Sequence, residues 1–300
     1  MPLPATADET PAQLLQRLQW TVVRRLDGLL QGDYRTVFRG SGTDVAELRE
    51  YEPGDDARYI DWNLTARMQT PYVREFSEDR EVTAWMLVDR SSSMAFGPEG
   101  HAKSDVVLEL VTTLAYVLSR AGNRVGALLY DNVVERTVPP ATGRKHVLRL
   151  TQELRQAPRQ HSGATDLSGL IRTAVNTIKR RSLVFLISDF LTEPGWEQVL
   201  PMLRTRHDVV VIRLGDPREV EIPDIGLALF EDSETGEQVL VDTSDPVLRQ
   251  RLLATTGTHD DQLTAAFARA GVDAYSVSTS DDLVPTLLRI AGQRKQRRRR

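Results

Sequence analysis

Apolar positions recur at helical spacing between residues 11 and 31, at Leu14, Leu15, Leu18, Val22, Leu26, Leu29 and Leu30, and predict an amphipathic helix that opens the chain. The pattern then lapses. Residues 32–80 are rich in Gly, Asp, Arg and aromatic side chains, with short apolar stretches at 34–39 and 72–76 and turn chemistry at Pro53-Gly54-Asp55-Asp56. So many large side chains predict a compact N-terminal module rather than a linker.

At Val82 the texture changes to an alternation of buried strands and amphipathic helices, the signature of right-handed βαβ units. Strands are predicted over 82–89, 183–188, 209–214 and 274–277. Helices are predicted over 103–120, 148–155, 167–179, 196–204, 246–269 and 283–290. Residues 124–130 and 133–138 flank Asp131-Asn132, which has hairpin chemistry, so one antiparallel pair interrupts the parallel pattern. A second hairpin, 227–231 with 238–241 around Ser233-Glu234-Thr235-Gly236, is expected at the sheet edge. The fold class is therefore α/β, a doubly wound, mainly parallel sheet beside a small N-terminal module of short strands and a helix. The expected division is 1–80 for the module, 81–292 for the α/β domain and 293–300 for a basic tail.

Composition narrows the chemistry. At 40% hydrophobic and 27% charged, the 300 residues are ordinary globular material. A net charge of -4 argues against a surface built to grip nucleic acid, and no specific nucleic-acid partner is expected. The basic residues crowded into 294–300 make the remainder distinctly acidic and leave a tail expected to be solvated, with at most weak attraction to polyanions. The absence of cysteine excludes disulfides, thiolate metal sites and cysteine nucleophiles. No run approaches the ~18 apolar residues that span a bilayer, and the first residues lack a signal-peptide pattern, so a soluble, cytoplasmic protein with no transmembrane segment is expected.

In an open α/β sheet, ligands bind outside the carboxyl ends of the strands. Asp89-Arg90-Ser91-Ser92-Ser93 follows the first strand of the domain, Gly163-Ala164-Thr165-Asp166 lies in a later loop, and Asp189 follows 183–188. Asp89, Ser91, Ser93, Thr165 and Asp189 are all oxygen donors, a set that suits a hard cation such as Mg²⁺ with waters completing the shell. So few carboxylates leave a divalent ion under-neutralised, and a partner's Asp or Glu is the natural supplier of the missing anion. The competing structural reading makes Asp89 and the serines a helix-capping turn, and Asp166 either a supporting carboxylate or the cap of the helix from Leu167.

These five residues resemble, in order, the metal-ion-dependent adhesion site of von Willebrand factor A domains, whose motif is Asp-x-Ser-x-Ser followed by a threonine and an aspartate on later loops. Upstream, Leu48-Arg49-Glu50-Tyr51-Glu52-Pro53-Gly54-Asp55-Asp56-Ala57-Arg58-Tyr59-Ile60-Asp61-Trp62-Asn63, then Thr65-Ala66-Arg67, resembles the hallmark of the bacterial family known as domain of unknown function 58. That resemblance spans about residues 32–211 and implies a von Willebrand A-like domain carrying the adhesion site. It also implies a MoxR-type AAA+ ATPase as partner, with the chain as an adaptor in chaperone-like maturation of protein complexes. The block itself reads either as a docking surface or as an internal network of Arg and carboxylates around Tyr51 and Trp62.

The rival class is an enzyme. Gly97-Pro98-Glu99-Gly100-His101-Ala102-Lys103-Ser104 is one residue from a phosphate-binding loop and opens a helix, which would make the chain a nucleotide-binding protein or metal phosphohydrolase. Ala102 stands where that loop needs glycine, and seven residues separate Asp89 from Gly97 where the loop should begin at once. Ser91 occupies the position where an Asp-x-Asp phosphotransferase keeps its acid-base carboxylate. No catalytic residue is assigned.

Overall fold

A computed structural model describes residues 9–25, 47–52, 55–57, 60–75, 82–98, 101–158, 165–220, 224–231 and 237–298. The expected stretch at 34–39, the Pro53-Gly54 turn and the 233–236 turn lie outside them. The opening helix α1 (Pro11–Leu18) starts at a capping box in which Thr10 and Gln13 bond each other's backbone N–H, with Pro11 at the first helical position. It runs on into a π-helical turn at Gln19–Val23. Two short strands, β1 (Glu47–Glu50) and β2 (Tyr72–Glu75), pair antiparallel around α2 (Trp62–Met68), whose N-cap is Asp61. The Arg49 guanidinium grips Asp55 in a two-pronged bond of 2.8 and 2.6 Å, and Asp55 also accepts from the Glu52 N–H. This is the internal Arg–carboxylate tie, but Trp62 stands 68% exposed and takes no part in a buried cluster.

The domain's sheet is six-stranded, in the order β10-β7-β6-β3-β4-β5, with β3 (Thr83–Asp89), β4 (Arg124–Asp131), β5 (Val133–Ala141), β6 (Leu183–Ser188), β7 (Asp208–Gly215) and β10 (Asp273–Ser278). Every neighbouring pair is parallel except the β4–β5 hairpin. Asn132, at φ 54°, makes that hairpin's turn, as a residue tolerant of the left-handed region must. The central strands β3, β4, β6 and β7 bury both faces, and successive side chains enter different cores. Met86, Phe185 and Ile212 pack under α1, α3 (Lys103–Arg120), α4 (Arg144–Arg155) and α9 (Leu283–Arg298). Leu87, Leu186 and Val211 pack under α5 (Leu167–Thr177), α6 (Trp196–Arg206) and α8 (Pro246–Ala270).

Two expectations are corrected. The hairpin β8 (Leu227–Glu231) with β9 (Gln238–Asp242) forms a separate two-stranded sheet and does not extend the edge of the large one. The basic tail is helix as far as Arg298. Arg294 is buried with its guanidinium 2.5 Å from Asp208, and Arg297 reaches Asp273 at 2.8 Å. A run of arginines reads as solvated when its carboxylate partners lie far away in sequence.

Candidate functional site

Strand order reverses between β3 and β6: the chain leaves β3 toward β4 and later returns to β6 on the other flank. That crevice is the topological switch point, and Asp89 and Asp189 stand at the carboxyl ends of the two strands that border it. Both are buried, at 1% and 2% exposure. Asp89 Oδ1 accepts from the Ser91 N–H at 2.9 Å, and Oδ2 accepts from the Ser188 hydroxyl at 2.6 Å. One Asp89 oxygen therefore braces its own turn and the other bonds the neighbouring strand, but the 3₁₀ turn that follows has no side-chain cap, so the helix-capping reading is not what the structure shows. Ser91 and Ser93 are buried with hydroxyls 3.1 Å apart, Ser93 lying in a 3₁₀ turn at Ser92–Ala95.

Thr165 is 1% exposed, and its carbonyl accepts from the Thr192 hydroxyl and the Glu193 N–H, so the loop that carries Asp189 clasps the loop that carries Thr165. Asp166 caps α5 through the Ser168 N–H at 2.9 Å. Its carbonyl accepts from the Tyr130 hydroxyl at 2.6 Å, an approach that Gly169 permits, because a Cβ there would sit 2.5 Å from that hydroxyl.

Burial, followed by repulsion from the nearby Asp189 carboxylate, pushes the Asp89 carboxyl up to about 6, against the opposing bonds from Ser188 and Ser91. Two neighbouring buried carboxylates, Asp89 with the Ser91 and Ser188 hydroxyls on it and Asp189 with an ammonium on it, offer hard oxygen ligands that fit a divalent cation, which would relieve their repulsion. Asp89, Ser91, Ser93, Thr165 and Asp189 are the residues that would hold it. Beside Asp89 and Ser91 opens a cavity of about 330 Å³ whose apolar lining includes Leu14, Val88, Met94 and Val107.

Sequence reasoning missed three participants. Lys103 is completely buried, with its ammonium 2.6 Å from Asp189 Oδ2 and 2.5 Å from Glu219 Oε1. Ser188 orients Asp89, and Glu219, on α7 (Pro217–Val220), approaches from the end of β7. The loop resembling a phosphate cradle serves other purposes: the lysine is engaged, and Gly97, at φ 134°, is required because a Cβ would meet Ala102 Cα at 2.6 Å.

The same strand end carries a further buried acid. Desolvation alone would raise Asp216, but bonds from Arg218 and from the Thr279 hydroxyl at 2.7 Å bring it down to about 2. A carboxylate depressed in the folded state stabilises the fold above its unfolded value and loses that contribution as pH falls from about 4 toward 2. Asp216→Asn is expected to cost about 1–2 kcal/mol at pH 7, after discounting for the half-exposed Arg218, and to remove this acid-labile component from urea melts at pH 7 and pH 3. Equal losses at both pH values would count against it.

An uncharacterized protein of Mycobacterium tuberculosis (strain H37Rv) is 34% identical over 292 residues, covering 96% of this chain and 91% of that protein. The uncharacterized protein YeaD of Bacillus subtilis is 31% identical over 123 residues, 41% of this chain and 28% of that one. Solved structures that align with this chain include an aerotolerance-related membrane protein of Bacteroides fragilis, at TM-score 0.47 and 15% identity over 72% of this chain and 99% of that one. The SpRpn10 VWA domain aligns at TM-score 0.39 and 12% identity, over 69% of this chain and 94% of its own. Among the described residues no helix is long and apolar enough to cross a membrane. The sequence pattern of the family described as protein of unknown function DUF58 matches residues 47–262, and the chain belongs to that family.

Proposed function

We propose that this chain is a non-enzymatic protein-binding module whose contact is completed by a divalent cation, Mg²⁺ being the natural occupant. Asp89, Ser91, Ser93 and Thr165 hold the ion directly, Asp189 holds it directly or through water, and a partner's Asp or Glu supplies the remaining ligand. The observation that carries this reading is the convergence of the Asp89 and Asp189 carboxylates, buried side by side at the switch point with the Ser91 and Ser93 hydroxyls beside them. The cavity next to Asp89 offers an apolar seat for the residue flanking the partner's acid. A MoxR-type AAA+ ATPase is the proposed partner, and maturation of protein complexes the proposed setting; both rest on family membership.

Two observations favour this over nucleotide chemistry: Lys103 is tied to two carboxylates, and the 3₁₀ turn at Ser92–Ala95 stands between β3 and the glycine-bearing loop. Calorimetric titration of the full chain with Mg²⁺ and, separately, with ATP tests it. Mg²⁺ should bind and ATP should not. Asp89→Ala should abolish Mg²⁺ binding, and Thr165→Ala should weaken it about tenfold or more. Capture of the ATPase should fail in excess EDTA. ATP binding, or capture indifferent to EDTA, would discard the reading.

A further inference from the structure

A lysine with no exposed surface is rare, because an ammonium removed from water must recover its hydration from fixed partners. Lys103 does so with two carboxylates, Asp189 Oδ2 at 2.6 Å and Glu219 Oε1 at 2.5 Å, brought together from positions 86 and 116 residues away. Glu219 is itself fixed, since its other oxygen accepts from the Asp216 N–H at 3.0 Å. Asp189's other oxygen accepts from the Leu191 N–H at 3.0 Å. The ammonium therefore bridges one carboxylate assigned to the cation and one that is not.

We propose that Lys103 is a tethered counter-ion of the cation site: it neutralises Asp189 until a divalent ion binds, then leaves Asp189 to the ion and remains on Glu219. This rests on the cation reading above. Asp189 thus has an ammonium in the place a cation would take, while Asp89, close enough to feel the Asp189 charge, has none. Glu219 makes the exchange feasible, since without it the buried ammonium would be stranded when Asp189 turned to the metal. Lys103 thus lowers the site's affinity for the ion by competing for Asp189. It is a positioning residue and touches neither metal nor partner.

The test is calorimetric titration of the full-length protein and its variants with MgCl₂ alone, paired with thermal melts in EDTA and in saturating Mg²⁺. Lys103→Met is expected to tighten Mg²⁺ binding about tenfold or more, to lower the melting temperature in EDTA, and to show a larger Mg²⁺-induced rise than wild type. Glu219→Gln, with Lys103 in place, should weaken Mg²⁺ binding severalfold, because the ammonium then clings to Asp189. In the Lys103→Met background the Glu219→Gln change should have less than about threefold effect, a coupling that simple loss of charge does not give. If Lys103→Met fails to fold, Glu219→Gln carries the test, and unaltered Mg²⁺ affinity there overturns the proposal. Wild-type binding that Lys103→Met leaves unchanged or weaker refutes the counter-ion role alone. Binding by no variant refutes it together with the cation reading.

Discussion

In metal-free buffer at pH 7, Asp89→Asn is expected to melt roughly 3–6 °C above the wild-type protein. The reason is the pair of buried carboxylates at the switch point. Burial, then the Asp189 charge, holds the Asp89 carboxyl near 6 in the fold, above its unfolded value of 3.8. A carboxyl raised by folding makes the folded state bind the extra proton, so metal-free stability rises as pH falls from 7 through 6 toward 4. Asparagine keeps an oxygen to accept from the Ser91 N–H or the Ser188 hydroxyl but carries no charge, so this pH dependence should flatten. The same substitution removes the anion that a cation needs. Wild type should gain about 2.7 kcal/mol at Mg²⁺ a hundredfold above its dissociation constant, and Asp89→Asn should gain nothing. Melting curves at pH 5 and 7, with EDTA and with Mg²⁺, read all of this. A variant less stable than wild type in EDTA, or one still stabilised by Mg²⁺, would show that Asp89 is a structural cap only.

The sheet was legible because both of its faces are buried, so β3 and β6 read as continuous apolar runs whose ends point to the site. Asp89, Ser91, Ser93, Thr165 and Asp189, all five of them buried, could be singled out as candidates because each lies next to a strand or helix end that periodicity could place. Lys103 could not. From the chain alone it stands in a glycine-bearing loop at a helix start, where a lysine reads as a phosphate ligand; only the return of β7 brings Glu219 onto it. Arg294 and Ser188 were hidden in the same way, their partners lying 86 and 99 residues distant, as was the Thr279 bond to Asp216, 63 residues away. The strand β1 and the helix α2 escaped notice because they are short, and because a bidentate Arg49–Asp55 tie and a capping Asp61, rather than an apolar stripe, shape them. Periodicity reports burial against a large core and is silent on polar ties between distant segments.

Phe190 shows how that core holds the site in shape. It follows Asp189 directly and sits at φ 62°, a left-handed conformation that costs a bulky residue about 1–2 kcal/mol. The turn is useful: it lets the Phe190 N–H donate to Ser188 Oγ at 2.9 Å, so that Ser188 both braces the turn and bonds Asp89. What sustains it is the ring, buried edge-on against Trp196 and Phe267 with centroids 5.1 and 5.0 Å away. Phe190→Ala is expected to cost about 3–5 kcal/mol in urea unfolding, since it opens a cavity between α6 and α8 while leaving the strained backbone in place. Phe190→Gly loses the same ring but relieves the left-handed turn, and should be as stable as the alanine variant or up to about 1 kcal/mol better. Both should weaken Mg²⁺ binding, because Asp189 and Ser188 lose the anchor that aims them. A loss below about 1 kcal/mol in Phe190→Ala would mean that the hydrogen bonds of Ser188 and Asp189 hold the turn unaided, and the aromatic cluster would then be packing without a part in the site.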